Sequence, residues 1–215
     1  MIRGLTRSEI AMWGIVLLCF GASAGLYPRM PELMAAHWNI HGNADGYMPK
    51  SLGLFLLPTI LAVFTLVFIA IPRIDPLKSN IQQFRSYYDG FVIVFLLFML
   101  SIHVQVILWN LGVKISFNRT VPIGLGILFF SIGVLCEHVK RNWFIGIRTP
   151  WTLSNDRVWE KTHRVGGKLF KVAGAIAVLG AFFQAYMIPF ILAPAILTAI
   201  FTVVYSFYAY RRETT

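Results

Sequence analysis

The sequence predicts an all-α, polytopic membrane protein: six transmembrane helices, a small outer loop domain and a basic cytoplasmic interfacial helix. Two observations carry that prediction. Of the 215 residues, 57% are hydrophobic and only 13% are charged, about half the charge of a typical soluble domain. The apolar residues also gather into runs close to the ~20 residues a helix needs to cross a hydrocarbon core of about 30 Å. In lipid every backbone polar group must be satisfied within its own segment, so these runs are helices.

Taken in order, the spans are expected at residues 10–27, 52–71, 91–111, 121–136, 172–187 and 189–210. In the first, Arg3 and Arg7 precede an apolar run ending in Ala22-Ser23-Ala24, which fits a signal-peptidase site. The favoured reading is a retained helix with Gly21 and Gly25 as a small-residue packing face. Pro189 suits the first position of the sixth span, where its missing N–H costs nothing, so spans five and six form a tight hairpin. Cys19 and Cys136 lie in apolar runs without metal spacing and read as packing residues.

The net charge of +10 would raise nucleic acid in a soluble chain, but here it is read as attraction to the lipid bilayer and control of topology, with no direct nucleic-acid partner. Fifteen Lys and Arg fall on one side of the six spans and four on the other. That bias places both termini in the cytoplasm and residues 28–51 outside.

The outer loop opens with Pro31 and Glu32, which suit a short helix, and Gly42 and Asp45-Gly46 supply turns. His37, His41 and Asp45 are spaced at four, but the glycines argue against a continuous helix. No metal is expected there, and a structural His37–Asp45 hydrogen bond is. The cytoplasmic stretch 142–170 reads NWFIGIRTPWTLSNDRVWEKTHRVGGKLF. Its first ten residues are extended or turning; Ser154 or Asn155 then caps a helix with Val158, Trp159, Thr162, Val165 and Leu169 on one face and Arg157, Lys161, Arg164 and Lys168 on another. This is a basic amphipathic helix of the interface, with Gly166-Gly167 marking a bend or a close crossing. The Glu160–His163 pair lacks the second carboxylate set that di-metal bundles use. No catalytic constellation assembles elsewhere, so the chain is read as a non-enzyme with no cofactor.

Within the membrane, span three carries Ser101, His103, Gln105 and Asn110 and span five carries Gln184, polar groups expected to face the bundle interior. His103 reads first as a neutral histidine bonded to a neighbouring helix, and His103 and Gln184 are the functional candidates. They would serve a rival reading, a small-solute or ion transporter. The absence of Asp or Glu from the apolar runs of spans two to six weakens it.

Two segments carry a resemblance. Asn142, Gly146, Arg148, Thr149, Pro150, Trp151, Ser154, Trp159, His163, Gly166 and Gly167 resemble the signature of the SdpI-type immunity membrane proteins. Pro31, His37-Trp38-Asn39, Gly42, Asp45-Gly46-Tyr47 and Lys50, continued by IPRIDPLKSNIQQF at 71–84, are similar to the domain of unknown function that often precedes it. Met34-Ala35 departs from the apolar-Pro pair expected there. The resemblance implies an N-terminal membrane domain at 1–90 and an SdpI-type domain at 91–215, with its signature loop at 137–171. It further implies protection from a secreted peptide toxin, with signalling by holding a cytoplasmic transcriptional repressor at the membrane. His37, Trp38, Asn39, Gly42 and Asp45 are then the toxin-side candidates, and the signature residues, above all Arg148, Trp151 and His163, the cytoplasmic ones. Oligomeric state is not legible.

Overall fold

The computed structural model describes residues 4–214; Arg3, one of the cations counted for topology, lies outside them. Helix α1 (Arg7–Leu26) starts at a capping box, in which Thr6 Oγ1 accepts the Glu9 N–H while the Glu9 carboxylate accepts the Thr6 N–H. It buries Met12, Val16, Cys19 and Ser23 against the bundle. The expected packing face at Gly21 and Gly25 is not used: a Cβ at either position would meet nothing within 4 Å. The buried stripe, recurring every three or four residues, runs along another face of the helix.

The chain then turns through Tyr27–Arg29 into an antiparallel hairpin, β1 (Leu33–Trp38) and β2 (Ala44–Pro49). A helix expected after Pro31 is therefore replaced by a strand. Glu32 instead pairs with Lys50 at 2.7 Å and its carbonyl accepts the Lys50 N–H, closing the open end of the hairpin. Helices α2 (Lys50–Ile74), α3 (Lys78–Gln83), α4 (Arg85–Asn110), α5 (Phe117–His138), α6 (Pro150–Ser154), α7 (Asp156–Leu179) and α8 (Met187–Thr214) follow. Five segments, Arg7–Arg29, Lys50–Ile74, Arg85–Asn110, Phe117–His138 and Gln184–Thr214, are long and apolar enough to cross a membrane.

Helix α7 departs from expectation. The stretch expected as an interfacial helix and the first half of the expected span 172–187 form one unbroken helix of 24 residues, about 36 Å long at 1.5 Å per residue. It is not among the five segments long and apolar enough to cross a membrane. It ends at Leu179, and a turn leads to α8. Gly166-Gly167 does not bend it, because these residues mark the crossings with its neighbours. A Cβ on Gly133 of α5 would lie 2.6 Å from the Gly167 carbonyl oxygen, and one on Gly174 would lie 2.5 Å from that of Gly126. Backbone meets backbone at two levels seven residues apart, the close approach that small residues permit between membrane helices. Pro189 falls in the first turn of α8, where its lack of an N–H is harmless.

The core runs from Met12 and Val16 of α1 through Leu61, Ile81, Phe84 and Leu96 to Trp159 of α7. A smaller cluster of Met30, Met34, Leu54 and Ile107 lies beneath the hairpin. At the opposite end, the loop end, Glu9 is almost wholly buried between Arg73 at 2.8 Å and Arg85 at 3.1 Å, and Arg85 also meets Asp89 at 2.7 Å. A buried carboxylate survives only when paired in this way.

Candidate functional site

The hairpin is shaped by its turn and by bulges. Asn39 Oδ1 accepts the N–H groups of His41 and Asn43, and Gly42 sits at φ +77°, a left-handed conformation that suits glycine. The register then slips around His37, which opposes Gly46. A Cβ at Gly46 would approach His37 Cβ to 2.8 Å, so a glycine is required there. The bulges turn His37 and Asp45 to the same side, where Nδ1 and Oδ1 meet at 2.6 Å with both side chains open to solvent. The expected bond between them is present; Asp45-Gly46, however, lies within β2 and not in a turn.

The hairpin is also fastened to the bundle. Trp38 packs between Trp109 of α4 and Phe117 at the start of α5, with ring centroids 5.5 and 4.1 Å away. Asn110 at the end of α4 pairs with both the N–H and the carbonyl of Ala35, at 2.8 and 3.0 Å, as a neighbouring strand would. Asn118 Nδ2 donates to the Ile40 carbonyl at 2.9 Å. Met30 and Met34 are buried, while Leu33 and Tyr47 are exposed.

At the loop end, residues 139–149 are held by inward-facing signature residues. Asn142 is fully buried: its Nδ2 donates to the carbonyls of Lys140 and Ile145, and its Oδ1 accepts the N–H groups of Phe144 and Ile145. Gly146, at φ +111°, lets the chain pass so close to His163 that a Cβ would lie 2.5 Å from Nε2. His163 Nε2 accepts the Ile147 N–H at 2.8 Å, which leaves Nδ1 to donate to the Trp159 carbonyl at 2.8 Å. The ring is therefore neutral, and burial pushes its pKa down from 6.5 to about 4 against the opposing pull of that carbonyl bond. Trp159 stacks on His163 and donates its indole N–H to the Val139 carbonyl.

Thr149 caps α6, with Pro150 at its first position and Thr152 completing the capping box; its hydroxyl also meets Ser206 of α8 at 3.0 Å. Trp151 stands edge-on to Phe207 of α8. Asn155 caps α7, as one of the two expected candidates. Gly166 faces Ile147 and Thr202. What the loop leaves outward is Trp143, 52% exposed, Phe144, 41% exposed, and Arg148, whose Nη1 donates to the Trp143 carbonyl at 2.6 Å.

Sequence reasoning missed the anchors of this loop. Asp75, almost wholly buried, accepts the Trp143 N–H at 2.9 Å and the Leu77 N–H at 2.6 Å, and Asn80 donates to the Arg141 carbonyl at 2.8 Å. Asp75-Pro76 after an apolar run carries a turn signal, but nothing in the spacing points to a loop more than sixty residues away. The Thr6-x-x-Glu9 capping box was likewise legible as a motif, its basic partners not.

The two intramembrane candidates are not brought together. His103 is buried and its Nε2 lies 2.9 Å from Ser23 Oγ, which itself donates to the Leu54 carbonyl, so it ties α4 to α1 and α2. Gln184 lies beyond the end of α7, at the start of the apolar segment Gln184–Thr214. It begins the short 3-10 helix Gln184–Tyr186 that leads into α8, accepts from Ser116 and does not line the cavity of about 190 Å³ at His103. Among the described residues no three His, Cys, Asp or Glu side chains are grouped to hold a metal.

Apolar helices of membrane length, a fastened hairpin at one end and a locked aromatic-basic loop at the other define a multi-pass integral membrane protein. Residues 138–206 match the SdpI/YfhL protein family, and residues 14–62 match a domain of unknown function, DUF1648. The region similar to the SdpI/YfhL family thus lies in the C-terminal half of the chain, with the DUF1648 segment ahead of it. The chain is 26% identical over 200 residues to the immunity protein SdpI of Bacillus subtilis (strain 168), covering 92% of this chain and 93% of that protein. No solved structure matches.

Proposed function

We propose that this is a non-enzymatic membrane immunity protein that protects its cell from a secreted antimicrobial peptide. The observation that carries the reading is the similarity to an immunity protein along 92% of the chain, through both the hairpin and the locked loop. In this reading the apolar stretch from Val172 is the fifth of six spans, the part of α7 before it, both termini and the loop end are cytoplasmic, and the hairpin faces outward. The charge asymmetry of the connecting segments supports that orientation.

The exposed His37–Asp45 pair is then the polar face offered to the peptide, and Trp38, Asn39 and Gly42 hold its shape. On the inner side Arg148, with Trp143 and Phe144 around it, is the surface for a soluble partner such as a transcriptional repressor, which would couple protection to signalling. Asn142, Gly146, Trp159 and His163 maintain the loop that presents it.

The test is survival. A sensitive bacterium expressing the chain is challenged with a panel of secreted antimicrobial peptides, with membrane insertion verified in parallel. Protection against at least one, reduced by Asp45→Ala, is expected. Normal insertion without protection against any of them refutes the reading.

A further inference from the structure

At the loop end a cleft of about 440 Å³ lies between α7 and α8, with Lys161, Arg164, Val165, Tyr205, Tyr208 and Arg212 in its lining. Glu213 engages two neighbouring cations: it binds Lys161 and lies 3.5 Å from Arg157. Arg164 and Arg212 have no hydrogen-bond or ion-pair partner among the described residues, and both are exposed. Two unmatched guanidinium groups, one from each wall, are suited to a phosphate group, which guanidinium binds through paired N–H donors. Tyr205 and Tyr208 add amphipathic rings of the kind that settle at the level of lipid headgroups.

The cleft does not end there. Along the same pair of helices, toward the hairpin end, lies an apolar groove of about 500 Å³, with Leu169, Val172, Ile176, Leu197, Phe201 and Val204 in its lining. Phe201 stacks on Tyr205 with centroids 6.1 Å apart, joining groove to cleft. From Arg164 to Ile176 the helix rises about 18 Å at 1.5 Å per residue. The whole is cationic at one end and apolar along its length. A free phosphate would use only the first part, and an acidic peptide has no need of the second.

We propose that the α7–α8 cleft and groove bind one anionic phospholipid, with its phosphate between Arg164 and Arg212 and an acyl chain along Val172, Phe201 and Val204. Basic pockets between membrane helices are known to select anionic headgroups in this way. The site is separate from the surfaces assigned to immunity, and its test does not depend on them.

The experiment is a titration of the delipidated, full-length protein in neutral detergent, followed by native mass spectrometry, with phosphatidylglycerol, phosphatidylcholine and glycerol phosphate as probes. Phosphatidylglycerol is expected to bind at least tenfold more tightly than phosphatidylcholine, with glycerol phosphate failing to compete. Arg164→Gln/Arg212→Gln is expected to remove that preference, whereas Lys78→Gln/Arg119→Gln, which removes equal charge elsewhere, keeps it. Equal binding of the two lipids, or loss of preference in both double variants alike, overturns the proposal. Competition by glycerol phosphate at the lipid's own concentration would reassign the cleft to a soluble anion and also overturn it. Because the Arg164 and Arg212 side chains make no hydrogen bond or ion pair among the described residues, the first double variant is expected to fold, and an unchanged unfolding midpoint is part of the expected result.

Discussion

Acidification from about pH 7 to about pH 4 is expected to destabilise the protein by about 3 kcal/mol through His163 alone. In the folded chain Nε2 is occupied as an acceptor by the Ile147 N–H and Nδ1 already carries its proton, so protonation would set two N–H groups against each other inside the core. The folded pKa is accordingly lowered to about 4 from the ordinary 6.5. Between those values the unfolded chain takes up a proton that the folded chain refuses, so stability falls as the pH falls. Above about 6.5 both states are neutral and the linkage is silent. The gap of about 2.5 pH units, at about 1.36 kcal/mol each, gives the quoted loss once half-protonation at the lower limit is allowed for. The assay is unfolding in detergent followed by tryptophan fluorescence, for wild type and His163→Gln across that range. Other titrating groups are common to both proteins and cancel in the difference. The variant is expected to be less stable at neutral pH and to lose less on acidification. Equal pH dependence of the two would refute the assignment of a buried, accepting imidazole.

Gly146→Ala combines a conformation that favours glycine with a Cβ 2.5 Å from His163 Nε2, and is expected to cost about 2–4 kcal/mol in the same unfolding assay. Gly90→Ala, where the added Cβ meets open space, is expected to be neutral or slightly stabilising. Gly174→Leu forces α5 and α7 apart at their closest crossing and is expected to abolish the single folded species on size exclusion. Asn110→Ala leaves the Ala35 backbone without its partner, at a cost of about 1–3 kcal/mol, and is expected to show as faster proteolysis between β1 and β2 with the helices still protected. Arg148→Ala removes one exposed bond and is expected to change stability by no more than about 1 kcal/mol while abolishing protection at normal membrane levels.

Much of the bundle was legible because hydrophobic length is a one-dimensional signal. The spans of α2 and α4 were placed within a few residues of their apolar cores, and Asn155, one of the two expected caps, acts locally. What was not legible depends on partners distant in sequence. Pro31-Glu32 has the chemistry of a helix start, yet Lys50 and the bulged register at His37 draw that segment into a strand. The basic stripe at 157–168 has the pattern of an interfacial helix, and only the glycines of α5, opposite those of α7, show why it continues into the bundle. In the stretch around the signature, sequence pattern does not say which way residues face: Asn142, Thr149 and His163 turn inward, while Trp143, Phe144 and Arg148 turn outward.

The fastening of the hairpin to Asn110, Phe117 and Asn118, and of Trp143 and Arg141 to Asp75 and Asn80, has a consequence for heredity. Each contact joins the stretch before residue 90 to the stretch after it, one set at either end of the bundle, while residue 90 itself lies within α4. A crossover there would have to bring compatible partners to both ends at once. The two stretches are expected to be exchanged between genomes as a single cassette, and grafts of one onto a distant relative's other half to be rescued only when Asp75, Asn80, Asn110 and Asn118 travel with the residues they hold.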